Sequence, residues 1–245
     1  MKLLVKKIKT SGFHLLLGLL ITWGITQCSQ PDTDAIPFSY DTHYFPLDSG
    51  SWRIYQVTQI TIDTPVNLFD TLNYELKEVN SGYFTDAAND SMMKIERFIR
   101  LSTDESWSPV SVWSAGVIDH KAIQVEDNEK YVKINFPAEL DKTWDGDAYN
   151  RLDTLKMYSY TITSLNEPDV INLSAFDSVL VVNQKDDLTL INKLFYQEKY
   201  AYGVGMVERT RVDIYSEFPD SRPIERRVTK GTMYYQKISS YGKNN

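Results

Sequence analysis

The sequence predicts a mainly β protein: an antiparallel meander curled into a β-roll, half-barrel or barrel, with at most one or two short helices. Alternation with a period of two residues dominates the chain from Trp52 onward, which is the pattern of half-buried strands. Clusters of turn-forming residues interrupt this alternation at short intervals. Sixteen tyrosines and a hydrophobic content of 42% suit such strands. Many strands at short spacing, without helical patterns between them, favour an antiparallel meander.

The first strand has the most regular pattern. Trp52, Ile54 and Ile60 belong to one face, whereas Arg53 and Tyr55 belong to the other. Further strand candidates follow at residues 72–79, 92–101, 110–113, 121–125, 131–136, 154–163, 178–183, 188–196, 206–215 and 226–239. Turns are expected at residues 80–82, 127–129, 166–169, 185–187 and 219–221.

Two segments break the alternation. Residues 169–177 and 188–201 contain good helix formers, so we expect one short helix in one of them. Gly203 and Gly205 indicate a tight turn or bulge just before a strand that starts at Met206, because glycine adopts positive φ at low cost. They do not indicate a phosphate-binding loop, since no Lys-Ser/Thr and no helical pattern follow them.

A short motif occurs twice in the chain. Phe45-Pro46 leads through a short spacer to Ser51-Trp52, and Phe136-Pro137 leads in the same way to Thr143-Trp144. In each copy proline favours an extended entry and tryptophan offers a large apolar anchor for the next segment. Coincidence and internal duplication both stay open, because the two strings are short.

The first 27 residues predict a signal peptide. Four lysines and no acidic residue precede an apolar run from Phe13 to Ile25. This run of about 13 residues is shorter than the roughly 20 that a membrane-spanning helix needs.

The run ends in Ile25-Thr26-Gln27-Cys28-Ser29, which resembles the lipobox of bacterial lipoproteins. Gln27 replaces the small residue usual before the cysteine, as in the looser lipoboxes of Bacteroidetes. The resemblance implies cleavage before Cys28 and acylation (palmitate or similar chains) of that cysteine, and two or more chains anchor a protein stably. Cys28 is the only cysteine, so no intrachain disulfide can form.

The expected organisation is a lipoprotein signal peptide at residues 1–27, a lipidated tether at 28–43 and a single β-rich domain at 44–245. The tether is polar and contains Pro31 and Pro37, which suits a semi-extended linker. Ser29 after the cysteine resembles the signal for the outer membrane. A periplasmic and a surface-exposed orientation both remain open.

The charge balance excludes two classes of partner. The chain carries 26 basic and 33 acidic residues, and removal of residues 1–27 takes away four lysines and no acid, which changes the net charge from −7 to −11. Binding to nucleic acid or to anionic headgroups needs clustered Lys and Arg. The one local basic cluster is predicted to be a solvated strand face: Arg222, Arg226, Arg227 and Lys230.

The sequence predicts no catalytic, cofactor-binding or metal-binding residue, and Cys28 is its only candidate site. His43 and His120 are the histidines that remain after cleavage, which argues against a zinc site. Motifs for nucleophilic hydrolysis do not occur. Asp141, Asp145 and Asp147 could offer oxygen ligands to calcium, together with Asn150, but their spacing departs from an EF-hand loop and favours a solvated acidic turn.

Three segments carry a family resemblance: Tyr44-Phe45-Pro46-Leu47 continuing to Gly50-Ser51-Trp52-Arg53-Ile54-Tyr55, Trp144-Asp145-Gly146-Asp147-Ala148-Tyr149-Asn150, and Tyr200-Ala201-Tyr202-Gly203-Val204-Gly205-Met206-Val207. They resemble segments of a group of Bacteroidetes lipoproteins, which are similar to TapB and DUF3108-like β-roll proteins. The resemblance implies a β-roll and an envelope location, and it carries over no catalytic residue.

These observations favour a non-enzymatic binding module in the envelope that holds an apolar or amphipathic ligand in a curled sheet. The alternative is a structural or interaction subunit that docks a protein partner through a sheet edge or an aromatic patch. A glycan-acting enzyme ranks third, because acidic residues and tryptophans alone support it.

Overall fold

The computed structural model describes residues 42–150, 159–217 and 219–244. Their strands are β1 (Ser51–Asp63), β2 (Leu68–Thr85), β3 (Ser91–Arg100), β4 (Ser108–Ile118), β5 (Lys121–Glu126), β6 (Glu129–Asn135), β7 (Thr143–Asp145), β8 (Ser159–Ile171), β9 (Ser174–Leu188), β10 (Asn192–Ala201), β11 (Gly205–Tyr215) and β12 (Lys230–Lys243). Three short 3₁₀ turns lie at Thr42–Tyr44, Thr64–Val66 and Ile224–Arg226. The mainly β prediction is confirmed.

The strands form one antiparallel sheet that is nearly closed into a barrel. Its order is β6-β5-β4-β3-β2-β1-β12-β11-β10-β9-β8-β7, so the chain makes two six-stranded arms that join where β1 pairs with β12. The free edges of the arms approach each other at β6 and β7. There the Val132 amide donates to the Gly146 carbonyl at 2.9 Å, and the Trp144 indole donates to the Val132 carbonyl at 2.8 Å.

The repeated Phe-Pro motif lies at the same place in both arms. Trp52 is the second residue of β1 and Trp144 is the second residue of β7, and these are the first strands of the two arms. Duplication of a six-stranded unit would produce this equivalence.

The inward faces of the strands form layers. An apolar layer contains Tyr55, Leu76, Val207 and Ile238. The next layer along the barrel is polar: its neighbouring residues in register are Glu198, Arg209 and Gln236 on β10, β11 and β12. One step further, the inward residues are Tyr196, Arg211, Tyr234 and Gln59 on β10, β11, β12 and β1.

The segment before β1 fills one end of the barrel, which we call the closed end. Tyr44 and Phe45 are buried in the main apolar cluster. The Tyr44 hydroxyl donates to Asn166 Oδ1 at 2.5 Å and lies 2.6 Å from Ser178 Oγ. The Gly203 amide donates to the carbonyl of His43 at 2.9 Å. These contacts bind the segment to β8, β9 and the turn between β10 and β11.

Several expectations about local structure were wrong. Residues 169–177 form the hairpin between β8 and β9, and residues 188–201 form mainly β10, so neither segment is helical. β10 pairs with strands on both sides, and those ladder hydrogen bonds override its local helix propensity. The expected turn at 80–82 is a bulge inside β2, and those at 166–169 and 185–187 lie inside β8 and β9.

Other local expectations are confirmed. Asp127 and Asn128 form the tight turn between β5 and β6, with φ values of 49° and 71°. Gly203 and Gly205 turn the chain into β11 with positive φ. The expected loop at 219–221 lies between β11 and β12, with residue 218 outside the described residues.

The basic cluster is not a strand face. Arg222, Arg226 and Arg227 belong to the loop before β12, and only Lys230 begins the strand. The Arg227 side chain is 5% exposed and donates to the carbonyls of Arg222 and Leu190, so it stabilises this loop.

The predicted signal peptide, Cys28 and nearly all of the tether lie outside the described residues, as do residues 154–158 of one strand candidate. Within the described ranges, no helix has the length and hydrophobicity required to cross a membrane.

Candidate binding cavity

A cavity of about 710 Å³ occupies the barrel interior at the end opposite the closed end. It is lined from all sides, because eleven of the twelve strands and the loop after β7 contribute to it. The lining residues are Gln59, Tyr74, Arg97, Trp113, Glu126, Asp127, Glu129, Tyr131, Asp147, Asn150, Tyr160, Gln184, Tyr196, Arg209, Arg211, Asp213, Thr232 and Tyr234. The mixture of aromatic rings and charged groups suits a ligand with both an apolar part and a polar part.

The base of the cavity is a buried ion cluster. Arg209 Nη2 lies 2.7 Å from Glu126 Oε1 and 2.8 Å from Glu198 Oε1. Lys133 Nζ lies 2.7 Å from Glu126 Oε1 and 3.0 Å from Glu198 Oε1. All four side chains are at most 6% exposed. Two cations and two carboxylates therefore neutralise one another away from water.

The cluster holds its carboxylates in the ionised form. Burial by itself raises the pKa of Glu198, but the charges of Arg209 and Lys133 outweigh it and lower that pKa to about 2. Burial also raises the pKa of Glu126. The positive charges of Arg209 and Lys133 again outweigh this effect, so the pKa of Glu126 lies far below its usual range. Neither carboxyl group carries a proton at neutral pH.

An arginine and a tryptophan form one wall of the cavity. The Arg97 guanidinium lies 3.4 Å from the centroid of the Trp113 ring, and the Arg209 guanidinium lies 5.4 Å from it. Arg97 Nε donates to Glu78 Oε1 at 3.1 Å, and the Trp113 indole donates to Asp127 Oδ1 at 3.2 Å. The wall is thus fixed by cation–π contacts and charge-assisted hydrogen bonds.

Arg211 projects above the ion cluster. Its side chain is 40% exposed, and its Nη2 lies 3.7 Å from Glu126 Oε2. Its guanidinium lies 5.8 Å from the ring of Tyr196, its register partner on β10. Gln184 is the bulged residue of β9 beside the same tyrosine.

Five buried side-chain nitrogens of the described residues have no hydrogen-bond acceptor: Arg53 Nε, Gln184 Nε2, Arg209 Nε, Arg211 Nε and Gln236 Nε2. Three of the five belong to residues that line the cavity. A buried donor without a partner costs about 1–3 kcal/mol. Arg209, Arg211 and Gln184 therefore place polar side chains in the cavity wall whose buried nitrogens lack an acceptor.

The mouth of the cavity is acidic. Asp127, Glu129, Asp147 and Asp213 line it. Burial is the main cause of a raised pKa at Asp147, to which Asn150 Nδ2 donates a hydrogen bond at 3.3 Å.

The candidate calcium ligands are divided by β7. Asp141 precedes the strand, whereas Asp145 ends it and accepts a hydrogen bond from the Asp147 amide at 3.0 Å. Within the described part of the chain, no three His, Cys, Asp or Glu side chains are grouped in a way that could hold a metal ion.

Sequence reasoning missed every residue of the ion cluster. The pattern places Lys133 and Arg209 in strand candidates and Glu198 in the possible helix at 188–201, and it predicts no ion pair among them. A usable signal existed at Arg209, because it shares its strand face with the apolar Val207 two residues earlier.

No protein-family model matches the chain, and a search of curated proteins found no match. The resemblance to Bacteroidetes lipoproteins and to TapB and DUF3108-like proteins therefore stays a prediction.

Proposed function

We propose that this protein is a lipoprotein of the bacterial envelope, anchored through Cys28, that acts as a non-enzymatic binding module for an amphipathic ligand. The carrying observation is the cavity of about 710 Å³, whose lining combines aromatic rings with donors that have no acceptor. The rings suit the apolar part of such a ligand, and the donors suit its polar group.

The tether joins the barrel at a place separate from the cavity. The described chain begins at Thr42 in the closed end, so the tether joins the barrel there. The cavity mouth lies at the other end of the barrel.

Binding is better supported than glycan cleavage by the two buried carboxylates at the base of the cavity. Acid–base hydrolysis of a glycosidic bond requires one carboxyl group that keeps a proton at neutral pH. Arg209 and Lys133 lower the pKa of both Glu126 and Glu198, the two buried carboxylates at the base. Their arrangement stabilises charge and supplies no proton donor.

The test combines intact and native mass spectrometry of the protein purified from its own membranes. We expect a chain that starts at Cys28 with acyl groups, and a stoichiometric small molecule that travels with it. Thr232→Trp would place a large side chain at the cavity mouth and should abolish the bound mass, whereas Gln56→Trp, on the outer face of β1, should retain it.

The lipoprotein assignment and the binding function can be disproved independently of each other. A full-length or unacylated chain would overturn the lipoprotein assignment. An acylated chain with no bound molecule, in wild type and in Gln56→Trp alike, would overturn the binding function.

Docking of a protein partner is a second candidate that one observation favours. The tip between β1 and β2 exposes four apolar side chains: Val66 (69%), Leu68 (41%), Phe69 (66%) and Leu72 (44%). Such a patch is typical of an interaction surface. If this candidate holds, Phe69→Glu should remove a specific crosslinked species in cells, while Leu188→Glu, at the tip between β9 and β10, should not. A crosslinking pattern unchanged by Phe69→Glu would rule it out.

A further inference from the structure

The charges that face the barrel interior differ from those of the whole chain. Four cationic side chains are grouped with three carboxylates around the base of the cavity, namely Arg97, Lys133, Arg209 and Arg211 with Glu78, Glu126 and Glu198. The whole chain has a net charge of −7. The base of the cavity is therefore locally cationic in an acidic protein, and an anionic ligand group would balance it.

Among these cations, Arg211 makes the weakest contacts with carboxylates and can therefore bind a further anion. Arg209 and Lys133 each contact both Glu126 and Glu198 within 3.0 Å. Arg211 approaches Glu126 only at 3.7 Å, and its Nε has no acceptor. The Arg211 side chain is 40% exposed, so the terminal nitrogens of its guanidinium can bind a further oxyanion.

Gln184 lies two strands from Arg211 and lines the same cavity. The two residues flank Tyr196 on β9 and β11, and Gln184 Nε2 also has no acceptor although its side chain is buried. Tyr234 flanks Arg211 on the other side, on β12. An oxyanion between Gln184 and Arg211 would leave the rest of a ligand against the rings of Tyr196 and Tyr234.

The acidic mouth limits the charge that can enter. Asp127, Glu129, Asp147 and Asp213 repel an anion that approaches the base. These carboxylates repel every negative charge of a ligand, so a ligand with several negative charges is repelled more strongly than a ligand with one. A singly charged ligand is repelled least and can then bind the cationic base.

We propose that Arg211, together with Gln184, binds the oxyanion of a singly charged amphipathic ligand, a carboxylate or a phosphodiester. This inference rests on the proposed binding function and names the chemical class of its ligand. The aromatic rings hold the apolar part, and the guanidinium selects the anionic part.

The test uses two fluorescent probes that share one ring system. 8-Anilinonaphthalene-1-sulfonate is anionic and N-phenyl-1-naphthylamine is neutral. We expect the mature, full-length domain to bind both, and Arg211→Gln to weaken the sulfonate about tenfold or more without changing the affinity for the neutral probe. Arg211→Lys should recover part of the loss, because it restores the charge but not the planar donors.

Arg226→Gln is the matched control, since Arg226 is exposed in the loop before β12 and should affect neither probe. Equal affinities of Arg211→Gln and wild type for the sulfonate would overturn the inference while the binding function stands. Binding of neither probe by wild type, with no co-purifying ligand, would overturn both.

Displacement identifies the oxyanion. Decanoate should compete with the sulfonate probe if the ligand is a carboxylate, and dihexyl phosphate, a phosphodiester with one negative charge, should compete if it is a phosphodiester. Displacement by neither compound would overturn the assigned ligand class.

Discussion

Arg209 and Glu126 form a two-point ion pair across the barrel interior, with Nη2–Oε1 and Nη1–Oε2 distances of 2.7 and 3.3 Å. Arg209 lies on β11 and Glu126 lies on β5, and these strands belong to different arms of the sheet. The two residues are 83 positions apart in the chain. The pair therefore links the two arms beneath the cavity. Bidentate geometry makes it stronger than a single contact between the same groups.

Glu126→Gln should lower the free energy of unfolding by about 3 kcal/mol. The substitution removes a charge that Arg209 and Lys133 both contact, and an uncompensated buried cation is costly. Urea denaturation followed by circular dichroism measures the change. Asp48→Asn is the control, because Asp48 pairs with Lys243 at an exposed position and its loss should cost no more than about 1 kcal/mol. Equal losses in the two variants would contradict a stabilising role for the buried cluster.

Stability should fall as the solution becomes more acidic than pH 4.5. The pKa of Glu198 is about 2 in the folded protein and 4.5 ordinarily, so its contribution is complete above pH 4.5 and is lost as the pH falls towards 2. Glu126, whose pKa is also lowered, adds a loss of the same sign. Urea midpoints between pH 7 and 2.5 test this dependence. Glu198→Gln should flatten the curve below pH 4.5, and an unchanged slope would contradict the assignment.

Tyr44→Phe should destabilise the protein by about 1–2 kcal/mol. The hydroxyl contacts the side chains of Asn166 and Ser178, so its removal costs two hydrogen bonds that join the closed end to β8 and β9. Tyr202→Phe is a suitable comparison, because Tyr202 is 46% exposed and stacks on His43 through its ring, which phenylalanine retains. Thermal unfolding should separate the two variants. The same melting temperature in both would show that the Tyr44 hydroxyl does not hold the closed end.

Gly205→Ala should cost about 1–2 kcal/mol more than Gly203→Ala, although both glycines lie in one turn with φ values of +93° and +73°. A Cβ on Gly205 would lie 3.0 Å from Arg53 Nη1 and 3.3 Å from Pro46 Cδ, whereas a Cβ on Gly203 meets nothing within 4 Å. The difference in unfolding free energy therefore isolates the close packing of the turn against the closed end. No difference would mean that backbone strain alone sets the cost.

The β-class of the protein was predictable because its evidence is local. The alternation that begins at Trp52 continues through β1, and Asp127-Asn128 forms the expected turn. Such features depend on side chains two residues apart or on backbone conformations that few residue types adopt. β7 was missed, since three residues are too few to show a period.

Turn composition gave a wrong prediction where tertiary contacts override local preference. Asn80-Ser81-Gly82 has the composition of a turn but forms a bulge in β2. The side chain of Asn80 donates to Ser51 Oγ at 2.9 Å, a contact with β1 that no local pattern shows.

The sequence by itself determined the strand-rich class, the turn at Asp127-Asn128, the acidic charge balance and the prediction of an anchor at Cys28. Each of these depends on residue type or on short-range spacing. Only the tertiary structure decided that β1 pairs with β12 and that Glu126, Lys133, Glu198 and Arg209 meet inside the barrel. A strand pattern shows that a charged residue faces inward but not which residue of a distant strand lies opposite, because that depends on how the whole sheet closes.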